Sequence, residues 1–526
     1  MAGVLSAPMH KEPNADSDRQ PSARERVLAW LTADVSVLVL VGLARVLLQV
    51  FTNDTYGFFR DELVTLDDAR HLDWGYVAYP PLTPFFGRLA LELFGLSLNG
   101  IRLFPLLSQA VVMVLVGLTA RAMGAKRFGQ VLAALAAGTT PACIVISTLL
   151  HHVAFDYLWW VLVAYFAARL LATNDARYWL GIGAGLGLGV LTKYTIAFWV
   201  VGLLVGLLLT PQRRRLRSPW LPAGAALGLA IALPNLIWQA RHGFISLAFL
   251  RSIHARDVRL GRADGFLLDQ IKNNGSLAAL ALIVAGLGFL LLSSAGRRFR
   301  ALAWAYLATL ALFLIARGRG YYLLPAYAPL IAAGAVWFEQ AVSRRSEART
   351  RQVQRAILVV VTLSAAPVVY LTLPTAPVNS PRWRLLSALN ENLREEIGWP
   401  ELLDTIAGVY RQMPADERPG AAVLAGNGGE VGAVNLLGSA YGLPRAISGF
   451  NSLWMRGYGD PPPQSVIAVG LSRELLDRTF ETCDWAARVT NRYGIRNEET
   501  DSANVYLCRH LRQPWPDFWK GFHYFG

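Results

Sequence analysis

The sequence predicts a polytopic α-helical membrane protein with an extracytoplasmic α/β domain at its C-terminal end. Three observations predict it. The 526 residues are 54% hydrophobic and only 16% charged, where a soluble domain carries about 25% charged residues. Apolar residues gather into runs that approach the roughly 20 residues needed to cross a bilayer. Residues 374–526 break that pattern, with short apolar runs between polar turns.

The first 26 residues are polar and read as a cytoplasmic tail. Apolar runs follow at 27–51, 100–121, 128–149, 154–172, 179–192, 195–210, 219–238, 276–294, 301–316, 321–339 and 356–373. They predict about 11 transmembrane helices. The first run is too long for a signal-peptide core and reads as a retained span. The 179–210 region reads as two helices, with one broken helix as the alternative. Within it, "GIGAGLGLG" (Gly181 to Gly189) lacks the Lys-Ser/Thr ending of a phosphate loop. Its glycines at 181, 185 and 189 suit close helix packing instead.

The formal net charge of +14 would point to nucleic acid in a soluble protein. Here Lys and Arg concentrate in alternate connections: Arg121 to Arg127, Arg213 to Arg217, Arg297 to Arg300 and Arg344 to Arg355. Topology accounts for the charge, and no nucleic-acid partner is expected. Basic connections face the cytoplasm, which predicts a multi-pass protein of the plasma (inner) membrane with a cytoplasmic N-terminus. Residues 27–373 then form the membrane domain, with a first outer loop at 52–99, and 374–526 an outer domain. The 239–275 connection is also basic and lies outside, where it would meet an anionic ligand.

In the outer domain "AAVLAG" and "SVIAVG" read as buried strands, "SRELLDRTFETCDWAARV" as a helix and "NVYLCRH" as another strand. Cys483 and Cys508 fall here; a disulfide and two buried free thiols both fit.

Chemistry-bearing residues collect at the outer ends of spans. "YGFFRDELVTLDDARHLDWGY" (56–76) opens the first outer loop. Asp61, Glu62, Thr65 and Asp68 have helical spacing, which predicts an amphipathic helix along the interface. Asp67, Asp68 and Asp73 read as its wet side. Asp61 and Glu62 sit where span one ends. Burial would raise, and Arg60 would lower, the pKa of a carboxylate there, so it can be tuned as a base. Asp156 heads the fourth span, after His151 and His152, and is either a helix N-terminal charge or a second active-site carboxylate. Adjacent histidines on one helix point apart, which argues against a metal site. Lys193, Arg317 and Arg319, beside Tyr194, Tyr321 and Tyr322, suit a lipid phosphate, with snorkelling as the plainer alternative. Transporters place their sites near the midplane. An enzyme acting on a lipid-linked substrate would place its groups as this chain does.

"YGFFRDEL", "HLDWGYVAYPPL", "IRLFPLL", "FDYLWW", "GLGLGVLTKYT", "LPNLIWQARHGF" and "YYLLPAYAPL" resemble, in that order, motifs of the family-39 glycosyltransferases. That family has the GT-C fold and includes protein O-mannosyltransferases and the lipid A aminoarabinose transferase. The resemblance covers about 27–340. It implies a membrane enzyme that takes a sugar from a polyprenyl-phosphate donor to an extracytoplasmic lipid, glycan or protein acceptor. It implies catalytic roles for Asp61, with Glu62 beside it, and for Asp156. It places Arg317 and Arg319 on the donor phosphate. Arg60, Tyr79, Lys193, Tyr194, Tyr321 and Tyr322 join them as substrate-binding candidates. Many relatives carry an acid shortly before the Pro-Pro; here Ala78 and Tyr79 stand there. No metal ligand is assigned, although a divalent metal stays compatible with the resemblance. In the expected reaction Asp61 is the general base, and the cationic groups stabilise the phosphate leaving group. A transporter or flippase of lipid-linked sugars is the alternative, and a non-catalytic partner-binding protein a second one.

Overall fold

The computed structural model describes residues 34–526. The tail at 1–26 and the opening residues of the first apolar run lie outside them. α1 (Asp34–Val50) leads into an outer loop folded as α2 (Arg60–Arg70) and α3 (Leu82–Phe94). Next come α4 (Leu98–Ala122), α5 (Arg127–Gly138), α6 (Pro141–Ile146), α7 (His152–Thr173), α8 (Tyr178–Val190), α9 (Ile196–Leu208) and α10 (Trp220–Arg241). The bundle continues through α11 (Ile245–Arg259), α12 (Phe266–Asn273), α13 (Leu277–Leu292), α14 (Arg300–Ile315), α15 (Ala328–Val342) and α16 (Glu347–Thr372). Among the described residues six helical stretches are long and apolar enough to cross a membrane, or eight if two bent pairs each count as one span.

Several apolar runs are interrupted, each for a local reason. The 128–149 run breaks at Pro141, where the Thr140 hydroxyl accepts from Cys143 N at 3.3 Å and caps α6. The run at 321–339 begins as a 3₁₀ turn, Gly320–Tyr327, with Pro325 inside it. The 179–210 region is two helices, α8 and α9. The basic connection at 239–275, expected as a loop, is mostly helical, as α11 and α12. The glycines of α8 serve packing: a Cβ on Gly183 would come within 1.9 Å of the Gly224 carbonyl oxygen of α10.

The C-terminal part holds α17 (Pro381–Leu389), α18 (Trp399–Gln412), β1 (Ala421–Ala425), α19 (Gly428–Leu437), β2 (Ala446–Ile447) and β3 (Ser465–Val469). Then follow α20 (Arg473–Thr479), β4 (Phe480–Arg488), α21 (Glu498–Asp501), β5 (Asn504–Leu511) and α22 (Trp515–Gly521). The sheet order is β2-β1-β3-β5-β4, parallel across its first three strands and antiparallel where β5 meets β3 and β4. The helix expected over 472–489 ends at Thr479. Beyond it the chain is a strand, because Phe480, Thr482 and Trp485 favour a pleated surface and β5 offers an edge to pair with. Cys483 faces Cys508 across that pair, and the two are disulfide-bonded.

This domain sits on the outer loop. Phe58, Leu63 and Leu66 share one core with Trp399, Val431 and Val434, each large side chain worth roughly 1.5–3 kcal/mol when fully buried. Trp399 Nε1 donates to Phe58 O at 2.7 Å, and Val77 N to Ser452 Oγ at 2.7 Å. Gly432 lets α19 close on α2, since a Cβ there would meet Leu63 O at 2.5 Å. The expectation of an interfacial helix with a wet acidic side is therefore corrected. α2 is covered, and Asp67 and Asp68 are buried and both paired with Arg456. Asp73 stays exposed but accepts from Trp238 Nε1 at 2.7 Å.

Candidate active site

α2 begins at Arg60, so Asp61 and Glu62 occupy its first turn, where acids suit the helix N-terminus. Their side chains point apart. Glu62 is fully buried. Its Oε1 accepts from Arg102 Nε at 3.0 Å and Leu150 N at 2.7 Å; its Oε2 accepts from Arg102 Nη2 at 2.7 Å and Phe59 N at 2.8 Å. Expected on the catalytic edge, Glu62 instead locks α2 to α4. Asp61 is 41% exposed and lines a cavity of about 960 Å³.

That cavity lies between the membrane helices and the C-terminal domain. Arg60, Asp61, Tyr79, Lys193, Tyr194, Arg317, Arg319, Tyr321 and Tyr322 all line it. His151 Nε2 stands 3.7 Å from Asp61 Oδ2. The rings of His151 and His152 lie 3.9 Å apart. They meet because His151 is the extended N-cap of α7 and does not belong to the helix, which corrects the expectation that they diverge. Arg60 approaches Asp61 at 3.5 Å and also pairs with Glu498. Lys193 Nζ lies 4.0 Å from the Tyr322 ring centre and 5.0 Å from that of Tyr321, close enough for cation–π attraction. Arg319 grips Asp257 through Nε at 2.6 Å and Nη2 at 2.7 Å. Arg317 pairs with Asp264 at 3.3 Å and holds φ at 47°, a left-handed backbone costing a non-glycine residue roughly 1–2 kcal/mol. Tyr194 donates to Asn235 Oδ1 at 3.0 Å and accepts from Gln239 Nε2 at 3.1 Å.

Asp156 stands behind this wall. It is buried, with Trp160 Nε1 at 3.0 Å and Thr195 Oγ1 at 3.3 Å on its two oxygens. Thr195 lines the cavity while Asp156 does not, so the carboxylate orients its neighbours from the second layer.

At the motif position where an acid is missing, Tyr79 donates its hydroxyl to Asp68 Oδ2 at 2.5 Å. Burial pushes Asp68 up to about 7, against the pull of Arg456 and Tyr79 downward. Asp68 thus brings a carboxyl to the cavity from α2, committed to those two partners. Among the described residues no group of three or more His, Cys, Asp or Glu is placed to hold a metal ion.

Sequence reasoning passed over the cavity wall contributed by the C-terminal domain. It comprises the Gly426–Gly429 loop, the turn at Phe450–Leu453, Glu498, Tyr524 and Gly526. The signal was present in "AGNGGE", an apolar run followed by a glycine-rich turn and a helix. Open α/β sheets place ligands at such carboxyl ends of parallel strands. Asn427 and Glu430 cap α19 reciprocally at that point.

Residues 78–238 match the family model described as dolichyl-phosphate-mannose-protein mannosyltransferase. The lipid A galacturonosyltransferase RgtD of Rhizobium johnstonii is 31% identical over 213 residues, covering 39% of this chain and 43% of that protein. The lipopolysaccharide core galacturonosyltransferase RgtB of the same organism is 28% identical over 228 residues, covering 42% and 45%. The matches therefore span less than half the length of these relatives. A crystal structure of ArnT from Cupriavidus metallidurans bound to undecaprenyl phosphate superposes with a TM-score of 0.55 at 15% identity, over 92% of this chain and 98% of that one. The likeness bears out the GT-C fold and a multi-pass membrane protein. The family-model match over 78–238 and the two galacturonosyltransferase relatives bear out, over that part of the chain, the resemblance to family-39 glycosyltransferases.

Proposed function

We propose that this protein transfers a sugar from a polyprenyl-phosphate donor to an extracytoplasmic acceptor. One observation carries the reading: a single cavity gathers Asp61 and His151 with the cations Lys193, Arg317 and Arg319. Asp61 takes the proton from the acceptor hydroxyl or amine as its heteroatom bonds to the anomeric carbon. The bond from that carbon to the phosphate oxygen breaks, and its electron pair leaves on polyprenyl phosphate. Lys193, Arg317 and Arg319 stabilise that charge, while Tyr321 and Tyr322 hold Lys193 in place. Glu62 and Asp156 position: Glu62 fixes α2, and Asp156 fixes Thr195. Residues 27–373 form the transferase domain and 374–526 its outer roof. The N-terminus is cytoplasmic and the roof lies outside the plasma membrane. The relatives named for lipid A and lipopolysaccharide core support an envelope acceptor.

The test is donor turnover by purified protein in detergent, supplied with envelope lipid extract. Wild type releases polyprenyl phosphate and Asp61→Asn loses about 10²–10⁴-fold in rate, the usual worth of a positioned base. Equal rates would remove Asp61 from the reaction.

A further inference from the structure

A second cavity, of about 460 Å³, lies at the opposite end of the bundle. α7 runs 22 residues, roughly 33 Å, from His152 on the first cavity to Thr173 beside the second. The second is enclosed by Asn174, which caps α7, by Trp179 in the first turn of α8, and by Gln212, Arg214, Arg215 and Ser218. The last four belong to a 3₁₀ turn, Pro211–Arg217, and the residue after it. That turn is bent by 116° from α9, so it lies across the end of the bundle.

Its charge is unbalanced. Arg215 leans on neutral groups: Nε donates to Gln212 Oε1 at 2.8 Å, and Nη2 donates to Asn174 Oδ1. Arg298 reaches the same Asn174 oxygen through Nη2 at 3.5 Å, and its Nε donates to Leu171 O at 2.5 Å. The neighbouring carboxylate, Asp175, is taken by Arg177 through Nε at 3.1 Å and Nη2 at 3.0 Å. Among the described residues no carboxylate pairs with Arg214, Arg215 or Arg298. Burial, then the like charge of Arg298, disfavours the charged form of Arg215. The wall also holds an unmet donor, since Trp179 is 3% exposed and its Nε1 has no partner among the described residues.

Arginines that only mark topology would be solvated and spread apart. Here two of them share one amide oxygen beside an enclosed space, and that arrangement gains when an anion enters. A phosphate ester suits it, because guanidinium groups match its oxygens. The surroundings favour a lipid as its source. Leu208 and Leu209 end α9 at 55% and 61% exposure, and Trp220 opens α10 half-exposed. Such residues meet acyl chains and the headgroup boundary. Basic pockets between spans hold anionic headgroups in this way.

We propose that Arg214 and Arg215, with Gln212 and Ser218, bind the phosphate of an anionic phospholipid in the leaflet opposite the sugar-transfer cavity. This site stands apart from the transferase reading.

The test is native mass spectrometry of the purified, delipidated full chain in detergent. It is titrated with dioleoylphosphatidylglycerol and dioleoylphosphatidylcholine, and with inorganic phosphate as competitor. Wild type is expected to bind phosphatidylglycerol about tenfold more tightly than phosphatidylcholine, the scale of one charge-assisted contact. Arg214→Gln and Arg215→Gln each erase that preference. Arg215→Gln also gives up the contacts to Asn174 and Gln212, whereas Arg214 is exposed and its variant keeps the fold. Arg349→Gln removes the same charge from an exposed position outside both cavities and keeps the preference. Equal affinities for the two lipids overturn the proposal. An equal loss in Arg349→Gln would mean diffuse attraction and also overturns it. So does a preference lost in Lys193→Met but kept in the Arg214 and Arg215 variants, which would put the lipid in the first cavity. Displacement by inorganic phosphate at matching affinity would make this a free-anion site and overturn the lipid assignment.

Discussion

Arg102 of α4 closes on Glu62 of α2 at 2.7 Å in complete burial, and the same guanidinium reaches Glu396 of the C-terminal part at 3.4 Å. One membrane-helix arginine therefore ties together the helix that carries Asp61 and the domain that covers it. Arg102→Met would leave the buried Glu62 carboxyl with no cation beside it. The loss of one partner of a buried pair costs about 3–5 kcal/mol, to be read as a lowered thermal unfolding midpoint in detergent. Replacing Glu62 by Gln in the same protein should recover part of it. A midpoint unchanged by Arg102→Met would show that the pair contributes nothing.

Arg456 should matter in a different way. It reaches from the C-terminal domain to Asp67 and Asp68 together. Arg456→Met leaves two buried carboxylates facing each other, and should loosen the roof without unfolding the membrane bundle. Limited proteolysis between 374 and 400 would report this as faster cleavage. Adding Asp67→Asn and Asp68→Asn removes the stranded charges and should slow cleavage again. Cleavage at the wild-type rate in Arg456→Met would contradict the clamp.

Glu499 gives a pH prediction. It is 5% exposed, both its oxygens lack a partner among the described residues, and burial followed by Glu395 and Glu430 pushes it up to about 8. The folded state keeps the proton over a range where the unfolded chain has released it. Stability from this group is complete below about pH 4.5 and falls as pH rises through 8. Glu499→Gln mimics the protonated form, so it should raise the unfolding midpoint at pH 9 and change it little at pH 4. The opposite ordering of the two pH values would refute the assignment.

Grip on the phosphate and removal of the proton should separate. Lys193→Met takes one cation from the cavity and should weaken undecaprenyl phosphate binding by about tenfold. Asp61→Asn should leave that affinity near wild type while turnover collapses. Parallel losses of affinity in the two variants would mean that Asp61 acts through binding.

The membrane character, the order of the helices and the residues around the cavity floor were legible, because each depends on local runs or short motifs. Asp61, Lys193, Arg317, Arg319 and the tyrosine pair lie at the ends of apolar runs, and that position alone singles them out. Partnerships across the chain were not legible. Asp67 and Asp68 look like the wet face of an interfacial helix, and only Arg456, nearly 390 residues later, supplies their partner. Glu62 and Asp61 are neighbours with identical local signals, yet Arg102 takes one and the cavity the other. Arg102 sits in the quoted "IRLFPLL" stretch, and a charge opening an apolar run is a signal that could have found it. The strand at 480–488 was hidden because its amphipathic period is ambiguous until β5 supplies a partner.

The roof has a consequence for the order in which the cavity is assembled. Asp61 rides on a helix whose other faces are filled by Trp399, Gly432 and Arg456, residues made long after the bundle beneath them. A nascent chain that has threaded every apolar segment still presents α2 with Asp67 and Asp68 lacking their Arg456 partner. The cavity around Asp61 is therefore completed only when residues beyond 390 fold back over the outer loop at 52–99. A ribosome released early leaves a membrane bundle with no finished centre.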